Sequence, residues 1–336
     1  MIKKRKLGKT DLNVSEIGLG GWQLGSPTKI NDNPGMAFGG LDENTSLEII
    51  NTALELGINT FDTADVYSLG NSEFRLGKAL KEYRSDVNIF TKAGNIPGNP
   101  GTTDMSYHYL MSAIDRSLDR LQTDYVDLFQ LHIPPQTEED FANVEKAFRE
   151  IKSEGKARYC GVSIGINYEK GIKIIERNLV DTIQLYFTLI DPKPLKELFP
   201  LAKKNKIGII IAEPLAQGLL TNKYKPNHIF PKDDIRFYGY DPKLLQMKLE
   251  RSQQFKFLIN NNRTLNQAAL SYVLSREEVS TCIPGSKSVE QLRSNVIASQ
   301  VTLNVDELEE IEKIQQNWYD SSLVEPKKEQ YKDKSH

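Results

Sequence analysis

Short runs rich in β-branched and aromatic residues alternate with amphipathic helical stretches along almost the whole chain, and this alternation restricts the fold more than any other feature. The runs are SEIGLG (15–20), INTFD (58–62), VNIFT (87–91), YVDLFQL (125–131), RYCGVS (158–163), TIQLYF (182–187), IGIIIA (207–212) and STCIP (280–284). Several are apolar for most of their length, as strands covered on both faces are. Between them lie helical periods. Leu47, Ile49, Ile50 and Leu54 precede Gly57, a helix-ending glycine. Leu110, Met111, Ile114, Leu118 and Leu121 form a stripe over 106–121, and Phe141, Val144, Phe148 and Ile151 another over 138–152. Segments 195–204 and 265–274 are also amphipathic.

About eight strand-then-helix units imply a parallel sheet. No Pro/Ser/Gly-rich linker divides the 336 residues, so a single closed (β/α)8 TIM barrel over 1–320 fits better than two open sheets. Residues 2–14 (IKKRKLGKTDLNV) read as an N-terminal β-hairpin with Gly8-Lys9 near its turn, placed to plug the barrel floor. Residues 221–241 have no clear period and carry several aromatic residues and prolines, which marks a long loop on the C-terminal face. The insert 26–40 is a second such loop, and the charged stretch 321–336 reads as a mobile tail.

Charge excludes several classes of partner. The 43 basic and 45 acidic residues balance to a formal −2 without a block of either sign, which points to neither nucleic acid nor an anionic membrane. The basic opening MIKKRKLGKT is not followed by an apolar run, and no apolar stretch reaches spanning length. A soluble, cytoplasmic protein is expected. Cys160 and Cys282 lack metal or redox spacing and read as buried reduced thiols.

Four polar residues stand where apolar strands end. Asp62 closes INTF, Lys92 follows VNIFT, His132 follows YVDLFQL, and Tyr67 lies five residues after Asp62. In a parallel barrel such positions converge on one mouth, where these folds do chemistry. A free phenol titrates near ~10 and is a poor acid at neutral pH. An ammonium about 4 Å away, at an effective dielectric near 20, contributes roughly 4 kcal/mol, which brings the phenol toward the working range of a general acid. Asp62 then anchors Lys92, and His132 donates to a substrate carbonyl. Each residue alone has an ordinary structural use, as helix cap, surface aromatic, ion pair or backbone partner. The four together favour catalysis. A metal site lacks a second histidine at ligand spacing and is opposed by the lysine charge.

Several motifs resemble the aldo-keto reductase superfamily. They are GLGGW (18–22), NTFDTADVY (59–67), TKAG (91–94), LFQLH (128–132), GVS (161–163), PLAQGLLTNKY (214–224) and IPGSKSVEQLRSN (283–295), in the family's order and over nearly the whole chain. The resemblance implies a (β/α)8 barrel, NADP(H) bound without a Rossmann fold (NAD(H) being the alternative), and reversible carbonyl reduction. It puts the catalytic tetrad on Asp62, Tyr67, Lys92 and His132, with tyrosine as the acid. It puts Ser163 and Gln184 at the nicotinamide carboxamide, and Gly21 and Trp22 beside the ring and substrate. Pro214, Leu215, Gln217, Gly218 and Leu220 would face the pyrophosphate. Gly285, Ser286 and Lys287 would meet the adenosine ribose and its 2′-phosphate, with Gln291 and Asn295 at the adenosine end. Independently, phosphates favour loop N–H groups and helix N-termini, and barrel phosphate sites follow the last two strands.

Two positions depart from the family pattern. Ile164 stands where many relatives have asparagine, and Asn167 is a candidate substitute. Ala212, followed by Glu213, stands where many have an aromatic residue stacked on the nicotinamide. The pocket wall expected from Trp22, Tyr67, 93–103, 224–240 and 26–40 mixes polar and aromatic residues. That suits a small-molecule carbonyl substrate such as a sugar or another hydroxylated compound, with simple aldehydes as the alternative. The rival reading is a nucleotide-sensing binding module resembling potassium-channel β subunits, which share the barrel.

Overall fold

The structure, a computed structural model, describes residues 2–25, 40–232 and 234–320. The expected cover over the mouth (apart from Gly40) and the charged tail lie outside these residues. A two-stranded antiparallel hairpin, β1 (Lys4–Lys6) and β2 (Asn13–Ser15), precedes the barrel. The barrel strands are β3 (Leu19–Gly20), β4 (Thr60–Asp62), β5 (Asn88–Ala93), β6 (Val126–Leu131), β7 (Ala157–Gly165), β8 (Thr182–Tyr186), β9 (Gly208–Ala212) and β10 (Val279–Cys282). They pair in parallel, in sequence order. Parallel bridges from Ile17 to Cys282 and from Gly20 to Gly285 join the first strand region to the last, so the sheet closes as expected.

The helices lie outside: α1 (Glu43–Glu55), α2 (Asn71–Leu80), α3 (Tyr107–Leu121), α4 (Glu138–Ser153), α5 (Tyr168–Glu176), α6 (Leu198–Lys204), α7 (Ile235–Gly239), α8 (Pro242–Gln253), α9 (Leu265–Leu274), α10 (Val289–Ile297) and α11 (Val305–Asp320). Side-chain caps start several of them. Ser106 accepts the Tyr109 N–H at 3.3 Å, and Thr137 with Asp140 forms a reciprocal capping box. Among its described residues the stretch 221–241, which showed no period, has the end of a 3-10 turn at Thr221 and the short α7. Among the described residues no helix is long and apolar enough to cross a membrane.

Strand alternation sorts the side chains into two packed regions. Outward residues such as Phe61, Ile89, Phe129, Leu131, Val162, Ile183, Ile209 and Ile211 pack against the helices. A smaller cluster of Leu7, Leu12, Val14, Phe90, Leu128, Ile210 and Ile283 combines hairpin residues with inward residues of the barrel. The hairpin therefore plugs the floor, as its sequence suggested. Gly8 makes this possible: at φ +55° its Cα lies so close to β9 that an added Cβ would fall 2.2 Å from the Gly208 nitrogen. Arg5 then fixes the hairpin to the far end of the chain, donating to the carbonyls of Leu274 (2.7 Å) and Val279 (2.8 Å). Cys160 and Cys282 are free and buried, and burial pushes both thiols up from their ordinary range.

Candidate active site

Above the apolar floor the inward face turns polar. Lys92 lies two residues beyond Phe90 on β5, and Gln130 two beyond Leu128 on β6, and the two are register partners. Asp62 ends β4 beside them. Lys92, with no solvent exposure, ion-pairs with Asp62. Its ammonium also donates to the Thr63 carbonyl at 2.9 Å and to the Tyr67 hydroxyl at 3.4 Å. The other Asp62 oxygen accepts from Gln184 at 2.8 Å and Gln130 at 3.3 Å. Asp62 thus has charge and hydrogen-bond partners on both oxygens, which a buried carboxylate needs.

Tyr67 stands between two rings. Its centroid is 4.9 Å from Trp22 and 5.4 Å from His132, both edge-to-face. His132 is held by its own N–H, which donates to the Ala93 carbonyl at 2.8 Å. Tyr67, Lys92, Asp62 and His132 are therefore brought together as expected from their strand-end positions.

The electrostatics differ from the sequence argument. Lys92 was expected to draw the Tyr67 phenol toward neutrality. Instead desolvation pushes the phenol well above its ordinary value, and the charges of Asp62, Glu213 and Asp65 act in the same direction. Lys92 is ion-paired with Asp62, and its attraction does not outweigh the burial of the phenol. Burial also pulls Lys92 down from its ordinary value, against the charge and hydrogen bond of Asp62. His132 is lowered to about 3 by burial and then by the Lys92 charge, so its imidazole is neutral. The Tyr67 phenol therefore stays protonated at physiological pH.

The residues expected at a nucleotide lie on neighbouring strand ends. Ser163 and Gln184 are register partners on β7 and β8, although Gln184 bonds to Asp62. Gly21 donates its N–H to the Asp62 carbonyl at 2.7 Å, and its own carbonyl accepts from Ser72 at 2.8 Å. After β9, Ala216 (φ +50°), Gln217 (+55°) and Gly218 (+92°) are left-handed in succession, so their loop is sharply curled. The Gln217 carbonyl accepts from Arg236 at 2.9 Å. The Leu220 side chain is fully buried in the outer core, which leaves its backbone to line the loop. Pro214 and Leu215 begin the same loop. After β10, Gly285 bridges to Gly20, and buried Asn295 donates to buried Ser286 at 3.2 Å. The Gln291 side chain accepts the Lys287 N–H at 2.9 Å, which orders the turn into α10. Lys287 is exposed and close enough to Arg236 to feel its charge.

Both departures have physical outcomes. Ile164 is 1% exposed and packs on the helix side of the barrel, where Gly171 leaves room for it. Asn167, the candidate substitute, donates its amide to the Ile164 carbonyl at 3.1 Å and so is engaged within its own turn. Ala212 pairs in register with Tyr186, whose phenol is pushed well up, first by the Glu213 charge and then by burial. Glu213 sits at φ +49°, and its carboxylate accepts from Gln217 at 3.0 and 3.1 Å.

Sequence reasoning missed Gln130, Tyr186 and Glu213. Gln130 had a signal, since it stands two before His132 in LFQLH and therefore shares its face. Tyr186 and Glu213 had none, because their pairing depends on the β8–β9 register.

The family model of the aldo/keto reductase family matches residues 16–316. An uncharacterized oxidoreductase, YqkF, of Bacillus subtilis is 33% identical over 304 residues, covering 89% of this chain and 91% of the relative. The NADH-specific methylglyoxal reductase of Escherichia coli is 28% identical, covering 90% and 95%. The holo form of the aldo-keto reductase AKR11C1 from Bacillus halodurans superposes with a TM-score of 0.77 at 32% identity, covering 94% of this chain and 96% of that one. Closed barrel, strand-end constellation and family match agree, and the chain belongs to the aldo/keto reductase family.

Proposed function

We propose that this protein reduces an aldehyde or ketone to an alcohol with NADP(H), and that Tyr67 is the proton donor. The observation that carries the reading is one ammonium, Lys92, paired with Asp62 and 3.4 Å from the Tyr67 hydroxyl, with the His132 ring on the phenol's other side. When bound, the dihydronicotinamide supplies hydride to the carbonyl carbon. The protein's part is to hold the carbonyl oxygen and protonate it. Neutral His132 donates one N–H to that oxygen and orients it. Tyr67 transfers its proton to the same oxygen as alkoxide character develops, an acceptor basic enough to take it from an unactivated phenol. The tyrosinate left behind is stabilised by Lys92, whose attraction matters more once the phenol is charged than before.

The residues present fit a nicotinamide nucleotide. The His132 Nδ1 and Gln23 Oε1 atoms are buried at the mouth without a hydrogen-bond partner among the described residues. A Cβ on Gly285 would fall 2.0 Å from that Gln23 oxygen, so glycine keeps the β10 loop tight against the rim. Ser163 and Gln184 would hold the carboxamide. The curled 214–220 loop offers backbone groups to the pyrophosphate, and Ser286 with Lys287, at the start of α10, suits the adenosine ribose and its 2′-phosphate. Lys287 is what favours NADP(H) over NAD(H). The pocket wall suits a hydroxylated carbonyl compound such as a sugar.

Steady-state oxidation of NADPH and NADH against aldoses, keto sugars, glyoxals and simple aldehydes tests the reading. Turnover of at least one carbonyl class with faster NADPH consumption is expected. Tight nucleotide binding with no carbonyl consumed would replace it with the nucleotide-sensing role.

A further inference from the structure

Behind the tetrad lies a buried acid pair that the mechanism above does not use. Asp65 (2% exposed) stands two residues before Tyr67, and its N–H donates to the Lys92 carbonyl at 3.0 Å. Glu73 (0% exposed) opens α2. The two carboxyls are close enough to repel, and the charges of Arg120 and Arg116 both reach Asp65. Arg120 is committed to Glu73, with its Nε 2.7 Å and Nη2 2.6 Å from Oε2, while the Thr91 hydroxyl donates to Oε1. Among the described residues neither Asp65 oxygen has a hydrogen-bond partner of ordinary geometry.

An anion in that position would be buried and unpaired, which is the costliest state for a carboxylate. We propose that Asp65 is carried in the folded protein as a neutral carboxylic acid and is a positioning residue for Tyr67: its proton keeps a second negative charge away from the phenol, and loss of that proton slows carbonyl reduction at alkaline pH. The groups facing Asp65 are Glu73 from α2, Arg116, Arg120 and Tyr109 from α3, Lys92 from β5, and Tyr67 on its own loop. Burial, then the Glu73 charge, raises Asp65 to about 8, outweighing Arg120, the Val66 N–H and Arg116. When Asp65 ionises, its charge opposes the tyrosinate that forms as the substrate oxygen is protonated. Reduction therefore falls as pH rises through that range. This inference rests on the reductase reading only for its kinetic part.

The test has an arm that needs no turnover. Denaturant unfolding of the wild type and of Asp65→Asn is measured across pH. A folded value raised above the unfolded one gives stability that is fully present below the unfolded value and lost as pH rises through the folded one. The wild type is therefore expected to lose stability relative to D65N from about pH 4 to about pH 8, and then to run parallel. Parallel curves throughout would mean an ionised Asp65 and overturn the proposal. In the kinetic arm, the alkaline fall in reduction rate, on the order of tenfold for one added charge at an effective dielectric near 20, is expected in the wild type and absent in D65N. Glu73→Gln removes the repelling charge and is expected to move the same fall to lower pH, which keeps the proposal falsifiable if D65N folds poorly. An alkaline fall unchanged in both variants would overturn the positioning role even with Asp65 shown to be neutral. A protein that consumes no carbonyl would remove the reductase reading and the positioning role together, with the stability arm still deciding the state of Asp65.

Discussion

The floor and the mouth of the barrel are made by the same strands, two residues apart. On β5 the inward residue changes from Phe90 to Lys92, and on β6 from Leu128 to Gln130 and then His132. The floor is a plug of aliphatic and aromatic groups with the hairpin pressed into it. The mouth is a charged layer in which Asp62 is paired on both oxygens, by Lys92 on one and by Gln184 and Gln130 on the other. The strand period decides which residues point inward, and height along the strand decides what they are for. The apolar floor also helps set the electrostatics above it. With an apolar plug beneath them, Lys92, Asp62 and Tyr67 are set by the charged and polar groups of the mouth.

If that division holds, changes at the mouth alter chemistry and changes at the floor alter stability. Tyr67→Phe is expected to reduce carbonyl turnover by roughly 10²–10⁴-fold with nucleotide affinity nearly unchanged, as for loss of one general acid. Wild-type turnover in that variant would remove Tyr67 as the donor. Lys92→Met tests whether one mouth residue also carries stability. It strands Asp62 as a buried unpaired carboxylate, and a loss of about 3–5 kcal/mol in denaturant unfolding is expected alongside lost activity. Leu128→Ala, at the floor, is expected to cost about 2–5 kcal/mol while turnover per folded molecule stays near wild type. A large fall in turnover at full folding would break the division. Lys287→Ala is expected to weaken NADPH by about tenfold, as for loss of a charge-assisted contact, and NADH little. Equal losses for both nucleotides would remove the 2′-phosphate assignment. The last expectation concerns His132. Its folded value of about 3, against 6.5 ordinarily, means that the unfolded chain binds more protons in that window, so stability rises with pH across it. The same value predicts no imidazole inflection in the reduction rate between about pH 5 and about pH 8.

Much of this architecture was legible in the sequence. All eight barrel strands were, because each is a short apolar run, and so was the hairpin plug, because Gly8-Lys9 sits between matching runs. Several helices were not. In α2 the buried face holds Ser72, Glu73 and Arg75, which serve the site and its supports and break the apolar stripe that marks a helix. The tetrad was legible because polar residues at apolar strand ends are conspicuous. Its electrostatics were not, since the sequence pairs Asp62 with Lys92 and sets Lys92 beside Tyr67 but does not show how deeply the phenol is buried. The Asp65–Glu73–Arg120 group was also hidden. Its members come from a loop and two helices, and only packing shows that Arg120 bonds Glu73 beside a buried Asp65.

The seam of the barrel has a consequence for how the chain reaches this state. Glu16 accepts the Cys282 N–H at 2.9 Å across 266 positions of sequence, and Arg5 reaches equally far to the Leu274 and Val279 carbonyls. Contacts of such long range incur loop-closure entropy before they return any stabilisation, so joining the ends is a late event in folding. A chain whose ends are not yet joined would leave β3 and β10 with unpaired edges, the feature through which strands of separate molecules associate.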